Sequence, residues 1–229
     1  MSSVKKALAE LYDVIAQNYA YTRRRLWAPV DKVLPASRIL DVGSGPGLYA
    51  VNVASRFSVD VVCMDISTGM LKVARRHAKN RNVYSLIHLV IADLEYIPFR
   101  SYCFDAVLCI ATIHHLPTRR SRINGLREIA RILKINGKAL ITAWNIFQPR
   151  NLFRVLTNIP ISILKGRAIG DIYVSWHYKG EILRRFYHLY TLKELKNDAI
   201  NAGLNIVEDG CIKVRGRIAE NIYILANRI

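Results

Sequence analysis

A glycine-rich turn directly after a short apolar run constrains the fold of this chain more than any other feature. The run RILDV at residues 38–42 leads into Gly43-Ser44-Gly45-Pro46-Gly47, and a helical pattern follows at 47–56. Because glycine has no Cβ, such a turn can be tight and can let a ligand approach the backbone closely. The sequence therefore predicts a strand, a ligand-binding turn and a helix in succession.

Four further apolar runs alternate with helical patterns. The runs are DVVCM (60–64), SLIHLVI (85–91), FDAVLCI (104–110) and KALITAW (138–144), and the helical patterns lie at 67–79 and 119–134. Strands rich in Val, Ile and Leu that alternate with helices indicate an α/β fold, with a parallel sheet covered on both faces. Ser67 is expected to cap the second helix, and Asn136-Gly137 to end the third.

The chain is expected to form a single domain. Its 229 residues, 52% of them hydrophobic, can bury one substantial core. We expect an N-terminal helical segment at 1–37, a core at 38–146, an insertion at 147–190, and a closing helix and strand pair at 191–229. The insertion interrupts the alternation of strands and helices and contains aromatic clusters, so it is expected to help form a substrate site.

The charge balance indicates an anionic partner. The 34 Lys and Arg residues outnumber the 17 Asp and Glu residues, which gives a formal charge of +17. Such a surplus is most often the footprint of nucleic acid binding, although solubility or a thermophilic origin would also account for it. The four cysteines show neither a CxxC pair nor metal-ligand spacing, so we expect no metal site and a reducing, cytoplasmic setting. No stretch resembles a signal peptide or a membrane span.

Three carboxylates follow three successive predicted strands. Asp41 closes the first, where it can receive the ammonium group of an amino acid, and Asp65 follows the second at a spacing suited to a ribose hydroxyl. Asp93 follows the third and can accept a hydrogen bond from an adenine amino group. A phosphate-binding loop would end in Lys-Ser/Thr. A dinucleotide dehydrogenase would space its glycines as GxGxxG, whereas Tyr49 stands two positions beyond Gly47.

These motifs together resemble those of the class I S-adenosylmethionine (SAM) dependent methyltransferases. The segments that carry the resemblance are DVGSGPG, ADLEYIPF, FDAVLCIATIHHL and LREIARILKINGKALITAW, within residues 38–146. The resemblance implies a Rossmann-like seven-stranded sheet whose last strand is antiparallel, and SAM as the cofactor. It also implies that the cofactor contacts Asp41, Gly43, Ser44, Gly45, Gly47, Asp65, Ile66, Asp93, Leu94 and Ile110.

Shorter segments resemble the tRNA wobble-uridine carboxymethyl methyltransferases. They are Tyr21-Thr22-Arg23 ahead of Trp27, His114-His115 with Thr118-Arg119 and Arg122, RFYHLY at 185–190, and residues 171–176 of the insertion. That family converts a 5-carboxymethyl group on the wobble uridine of tRNA into its methyl ester. In its eukaryotic members a small zinc-binding activator protein covers an apolar edge of the enzyme, and the sequence leaves open whether this chain needs one.

The same segments suggest roles on the acceptor side. A carboxylate is already nucleophilic at neutral pH, so the site must mainly align it with the methyl group. We expect His114 and His115 to orient the acceptor or shuttle a proton, and Arg23 or Arg185 to grip the carboxylate or a phosphate. The expected substrate contacts are Arg119, Arg122, Trp176, Tyr187, His188 and Tyr190. The alternative for each histidine and tyrosine is a packing role.

Two other functions fit part of the pattern. A methyltransferase acting on a small molecule, such as a quinone or sterol precursor, would share the core and the His-His segment, but the arginine clusters argue against an apolar acceptor. A SAM-binding or RNA-binding module without catalysis would need no acceptor site, yet the three carboxylates and the glycine turn are intact. The sequence therefore favours a tRNA methyltransferase.

Overall fold

A seven-stranded sheet flanked by helices forms the body of the protein in its computed structural model, which describes residues 3–164, 168–213 and 219–228. The strands are β1 (Arg38–Val42), β2 (Asp60–Asp65), β3 (Ile87–Ile91), β4 (Phe104–Ile110), β5 (Leu133–Trp144), β6 (Asp171–Tyr178), β7 (Glu181–His188), β8 (Leu204–Ile212) and β9 (Asn221–Arg228). The α-helices are α1 (Ser3–Thr22), α2 (Leu48–Phe57), α3 (Thr68–Asn80), α4 (Arg119–Ile132), α5 (Pro149–Leu164) and α6 (Leu192–Asn201).

The strand order in the main sheet is β3-β2-β1-β4-β5-β9-β8. Strands β1 to β5 run parallel, whereas β9 pairs antiparallel with both β5 and β8. The predicted fold class is confirmed, including the antiparallel last strand. The strand order reverses between β1 and β4, and open α/β sheets bind their ligands at such a switch point.

The central strands are buried on both faces, as their continuous apolar sequences predict. In β4, Val107 and Cys109 pack into one apolar cluster, while Ala106 and Leu108 pack into the cluster on the opposite face. Alternate side chains of a strand point to opposite faces, so a strand covered on both sides needs apolar residues at every position. This rigid sheet fixes the positions of the loops that follow its carboxyl ends.

Helix α3 begins where the sequence predicts, but helix α4 ends earlier. The Ser67 hydroxyl accepts a hydrogen bond from the Met70 amide and so caps α3. The expected stop at Asn136-Gly137 is wrong, because α4 ends at Ile132 and Leu133 is already extended, with φ −66° and ψ 137°. Asn136 has a left-handed backbone, with φ +62°, inside β5, and the β4–β5 register shifts in this region. The Asn-Gly pair therefore marks an irregularity in a strand.

The segment 147–190 contains one helix and a separate two-stranded sheet. Helix α5, which begins at Pro149, was not indicated by the sequence, and β6 and β7 form an antiparallel hairpin that pairs Asp171 with His188. The chain then returns to the main sheet, since Tyr190 donates its backbone N–H to the Trp144 carbonyl at 2.9 Å. None of the helices in the described part of the chain is long and apolar enough to cross a membrane.

Candidate active site

A cleft of about 180 Å³ runs along the carboxyl ends of the parallel strands. In the order of the sheet, Asp93 follows β3, Asp65 ends β2, Asp41 lies in β1 and Ala111 follows β4, and all four residues line the cleft. The three carboxylates therefore occupy one side of the cleft. The ends of β4 and β5 lie beyond Asp41, at its other side.

The glycine turn forms the floor of the cleft. The amides of Gly43 and Ser44 donate to the Met64 carbonyl at 2.7 and 3.1 Å, and the Gly45 amide donates to Asp65 Oδ2 at 2.8 Å. Gly43 has φ +63°, and a Cβ there would lie 2.2 Å from Thr112 Cγ2. Only glycine fits this position, which brings the turn against the loop after β4.

The buried carboxyl group of Asp41 is suited to a cationic ligand. Its side chain is buried, and its Oδ2 atom has no hydrogen-bond partner among the described residues; neither has the nearby Ser44 hydroxyl. Burial raises the pKa of Asp41, the hydrogen bond from the Ala50 amide lowers it and Asp65 nearby raises it, so that the pKa is about 8 overall. A buried acceptor without a partner costs free energy, so the site fits the ammonium group of the methionine part of SAM.

Asp65 already accepts two backbone hydrogen bonds, from Gly45 and from Ser67 at 2.9 Å. Burial nevertheless raises its pKa to about 6. The predicted cofactor contacts that line the cleft are Asp41, Gly43, Ser44, Gly45, Asp65, Ile66, Asp93, Leu94 and Ile110. Gly47 does not line it: a Cβ there would lie 2.8 Å from Ala74 Cβ, so this glycine permits the close packing of α2 against α3.

Asp93 is engaged by a residue that the sequence did not single out. Lys5 Nζ, on helix α1, lies 2.6 Å from Asp93 Oδ2 and also pairs with Glu95, and the Lys5 side chain is only 5% exposed. This ion pair joins residues 88 positions apart in the sequence. The N-terminal helix is therefore attached to the side of the cleft where we predict the adenine.

One face of α1 covers the cleft. Lys5, Leu8, Tyr12 and Tyr19 line it, together with Arg23, whose guanidinium lies 5.7 Å from the centre of the Tyr19 ring. The intervals of three, four and seven positions between the first four residues place them on one helical face. That periodicity was present in the sequence, although only the packing of α1 shows which way the face points.

His115 lines the cleft at the end of β4, on the side where we predict the acceptor; we call this the acceptor side. Its Nε2 atom lies 3.1 Å from the Tyr12 hydroxyl, and its Nδ1 atom lies 3.2 Å from the Phe186 carbonyl. The carbonyl is an acceptor, so Nδ1 carries the proton and Nε2 accepts from Tyr12. Burial lowers the pKa of His115, the hydrogen bond with the Phe186 carbonyl raises it and Arg185 lowers it, so that the pKa is about 4 overall. The imidazole is therefore neutral at pH 7.

His114 is buried next to His115 and offers a free N–H group. Its Nδ1 atom accepts a hydrogen bond from the Trp144 amide at 3.2 Å, so the proton of the neutral ring is on Nε2. Burial lowers the pKa of His114 well below its usual range, and His115, His188 and Arg185 lower it further. The Nε2 atom has no partner among the described residues.

Arg185 and Trp176, on the β6–β7 hairpin, present further N–H groups without partners. Arg185 is 2% exposed, and its Nε and Nη1 atoms are unpartnered within the described chain, as is Trp176 Nε1. The guanidinium lies 4.7 Å from the Trp176 ring and 5.3 Å from the Tyr187 ring, and Tyr187 stacks on Trp144 at 4.3 Å. We call His114, Trp176 and Arg185 the donor cluster. It lies behind Tyr12 and His115 and does not itself line the cleft.

The other predicted substrate residues lie away from the cleft, in a salt-bridged cluster formed by Arg122, Asp171, His188 and Glu194. His188 contacts Asp171 through Nδ1 at 2.7 Å and Glu194 through Nε2 at 2.9 Å, and Arg122 lies 3.8 Å from Glu194. Burial alone would lower the pKa of His188, but the hydrogen bonds to both carboxylates outweigh burial and raise the pKa. The cluster joins the hairpin to α6 and α4.

Two predicted residues lie beside this cluster. Tyr190 is fully buried, with its hydroxyl 3.3 Å from Asp198, and the half-exposed Arg119 is paired with Asp198 at 2.8 Å. These contacts give Arg119, Arg122, His188 and Tyr190 structural roles. Their direct contact with a substrate stays a prediction.

Comparisons with known proteins agree with this geometry. A family model described as a methyltransferase domain matches residues 40–141. A tRNA (carboxymethyluridine(34)-5-O)-methyltransferase of Xenopus tropicalis is 31% identical, over 82% of this chain and 36% of that protein. The protein of that name from Schizosaccharomyces pombe is 27% identical, over 88% of this chain and 90% of that protein. The crystal structure of a SAM-dependent methyltransferase from Methanosarcina mazei shares the fold, with a TM-score of 0.75 and 20% identity over 89% of this chain and 98% of that one.

Proposed function

Since this chain is a SAM-dependent methyltransferase, we propose that it methylates a carboxylate on tRNA, the 5-carboxymethyl group of the wobble uridine. The product would be a methyl ester. The names of the frog and fission yeast relatives support this acceptor. A tRNA acceptor would place the protein in the cytoplasm or the nucleus.

The cofactor would be held by residues on the carboxylate side of the cleft. Asp41 receives the ammonium group, Asp65 a ribose hydroxyl, and Asp93 the adenine, with Lys5 balancing the charge of Asp93. When bound, SAM supplies a methyl group on a sulfonium sulfur; a bond from the methyl carbon to the acceptor oxygen forms as the carbon–sulfur bond breaks, and the electron pair stays on sulfur. We expect the acceptor beyond Asp41, at the ends of β4 and β5.

The donor cluster is the observation that carries the choice of a carboxylate. Four donor nitrogens, Arg185 Nε and Nη1, Trp176 Nε1 and His114 Nε2, are buried without an acceptor in the described chain. Unsatisfied buried donors are costly, and a guanidinium without a counter-ion is costlier still. A carboxylate offers acceptor sites on two oxygens and a compensating charge, so it satisfies the cluster in a way that an apolar or cationic acceptor does not.

The two histidines fit this chemistry without acting as strong bases. A carboxylate is ionised at neutral pH, so no proton has to leave it during the transfer. His115 and His114 are neutral there, and we propose that they position the acceptor: His115 through its bond with Tyr12, and His114 through its free N–H. Because Tyr12 and His115 lie between the cleft and the donor cluster, we expect their side chains to turn when the acceptor binds.

The experiment compares three acceptors with the same enzyme and SAM. They are an anticodon stem-loop with 5-carboxymethyluridine at the wobble position, the same stem-loop with unmodified uridine, and a quinol, with the products identified by mass spectrometry. We expect methylation of the first stem-loop alone, on the carboxyl group. Equal methylation of the unmodified stem-loop would assign the methyl group to another atom of RNA, and methylation of the quinol alone would assign a small-molecule acceptor. Addition of a zinc-binding activator to each reaction tests whether this chain needs such a partner.

A further inference from the structure

A second cavity, of about 120 Å³, opens beside the acceptor side of the cleft. We call it the vestibule. It lies between the end of α1, the end of β5 at Trp144 and the start of β9 at Asn221. Tyr19, Arg23 and Trp27 line both the vestibule and the cleft, so the two spaces adjoin. Along the sheet, the cofactor side of the cleft lies at β3, β2 and β1, the acceptor side at β4 and β5, and the vestibule at β5 and β9.

The rim of the vestibule is cationic. Three consecutive arginines, Arg23, Arg24 and Arg25, line it, and Glu220 is the acidic residue among its lining residues. The Arg24 guanidinium lies 4.4 Å from the centre of the Tyr21 ring, which holds it without neutralising it. Arg24 and Arg25 are exposed, and guanidinium groups at such positions are suited to phosphate oxygens, which they can bind in pairs of hydrogen bonds.

The inner wall of the vestibule has the chemistry of a nucleoside site. Asn221 is 4% exposed, and its Oδ1 atom has no hydrogen-bond partner among the described residues. This acceptor needs an N–H or O–H donor, and a base edge or a ribose hydroxyl supplies one. Trp27 and Trp144 line the same space, and aromatic residues at such a site can contact a base.

We propose that the vestibule binds the nucleotide adjacent to the one that is methylated. Arg24 and Arg25 contact its phosphate, and Asn221 contacts its base or ribose. This inference rests on the proposed function and deepens it, because it makes the recognised unit a dinucleotide or longer. The carboxylate then selects the modified uridine, and the neighbouring nucleotide selects RNA over the free nucleoside.

The test compares a free nucleoside, 5-carboxymethyluridine, with a trinucleotide that carries it in the middle. We expect the wild type to prefer the trinucleotide, mainly through KM, and Arg24→Gln and Asn221→Ala to lower that preference. A charge-assisted hydrogen bond contributes enough for roughly a tenfold change in the ratio of the two kcat/KM values. Arg127→Gln is the matched control, because Arg127 is exposed on α4 and bonded to Asn124 of its own helix.

A direct binding measurement separates this inference from the proposed function. Unmodified uridine dinucleotide is titrated into the complex with S-adenosylhomocysteine, and tryptophan fluorescence reports its binding. Binding that weakens in Arg24→Gln but not in Arg127→Gln supports the vestibule, even if no carboxymethyl acceptor is methylated and the proposed function fails. The proposal that the vestibule binds a neighbouring nucleotide is overturned if kcat/KM is equal for nucleoside and trinucleotide. It is also overturned if dinucleotide binding is unchanged in Arg24→Gln and Asn221→Ala. Either result leaves methylation of the nucleoside intact.

Discussion

Asp41 is the residue whose charge state should respond most to the cofactor. Its pKa of about 8, raised mainly by burial, keeps it largely protonated at pH 7 in the free protein. An ammonium group beside it favours the charged form, so cofactor binding should release a proton. Apparent affinity for SAM should therefore rise from pH 7 to pH 8, and it should fall at higher pH as the α-amino group of SAM loses its proton.

Replacement of Asp41 tests this placement. Asp41→Asn should weaken SAM binding roughly 10- to 100-fold, as expected for a lost charge-assisted hydrogen bond, and should abolish the proton release. Calorimetry in buffers of different ionisation enthalpy measures both quantities. Asp60→Asn is the control, since Asp60 is exposed at the opposite end of β2. Unchanged affinity in Asp41→Asn would refute the position of the ammonium group.

The same substitution has a predicted effect on stability. The folded chain holds a proton on Asp41 up to a pH of about 8, whereas an unfolded aspartate loses it near pH 3.9. Between these values the unfolded state binds fewer protons, so the contribution of Asp41 to stability falls as the pH rises. The ligand-free Asp41→Asn variant should therefore melt at least as high as the wild type at pH 8, although it no longer binds SAM.

Arg185 tests the donor cluster. Arg185→Gln should leave SAM affinity unchanged but reduce kcat/KM for the carboxymethyl acceptor by roughly tenfold or more, because the buried guanidinium no longer meets the carboxylate. The neighbouring residue gives a matched control: Arg184 is exposed, and Arg184→Gln should leave turnover unchanged. Equal turnover in both variants would remove Arg185 from the acceptor site.

The positions of site residues within one motif could be predicted from the sequence, whereas contacts between distant segments could not. The strand-end positions of Asp41 and Asp65 follow from the sequence, since a parallel sheet brings successive carboxyl ends to one edge. The pairing of Lys5 with Asp93 across 88 positions does not follow, nor does the way in which Tyr12 reaches His115. Such contacts depend on how α1 packs on the sheet, which no local pattern encodes.

At the scale of elements, the β6–β7 hairpin is the part that the sequence described least well. Its aromatic residues were visible, but the helix α5 before it and the burial of His188 and Tyr190 were not. The salt-bridged cluster accounts for the burial: His188 is enclosed by Asp171 of its own hairpin and Glu194 of α6, with Arg122 of α4 nearby. The cluster thereby helps to hold the strand that carries Arg185 against the main domain.

The pH dependence of stability tests this role of His188. Its folded pKa is raised, so its contribution is complete below the unfolded pKa of about 6.5 and is lost as the pH rises through the folded pKa. His188→Gln should lower the melting temperature at pH 6, by roughly 2–4 °C for each kcal/mol lost in a chain of this size. The difference from the wild type should shrink toward pH 9. His177→Gln is the control, because His177 is exposed on β6. If His188→Gln lowered the melting temperature equally at pH 6 and pH 9, a charged His188 would be contradicted.

At the scale of the whole molecule, the charge of +17 should govern how the protein meets RNA. Each phosphate that is neutralised releases counterions, so binding of an anticodon stem-loop should weaken steeply with salt. With five or so phosphate contacts, the plot of log K against log salt concentration should have a slope of roughly −3 to −4. Fluorescence anisotropy over a salt series measures it, and a slope near zero would mean that the basic residues serve another purpose.

A transfer experiment on total tRNA tests whether the acceptor is a carboxylate. Total tRNA is incubated with the enzyme and methyl-labelled SAM, with and without prior saponification, which converts existing esters into free carboxylates. We expect saponification to increase the label incorporated and mild base to release this label, as a methyl ester requires. Label that resists mild base, or that saponification leaves unchanged, would contradict a carboxylate acceptor.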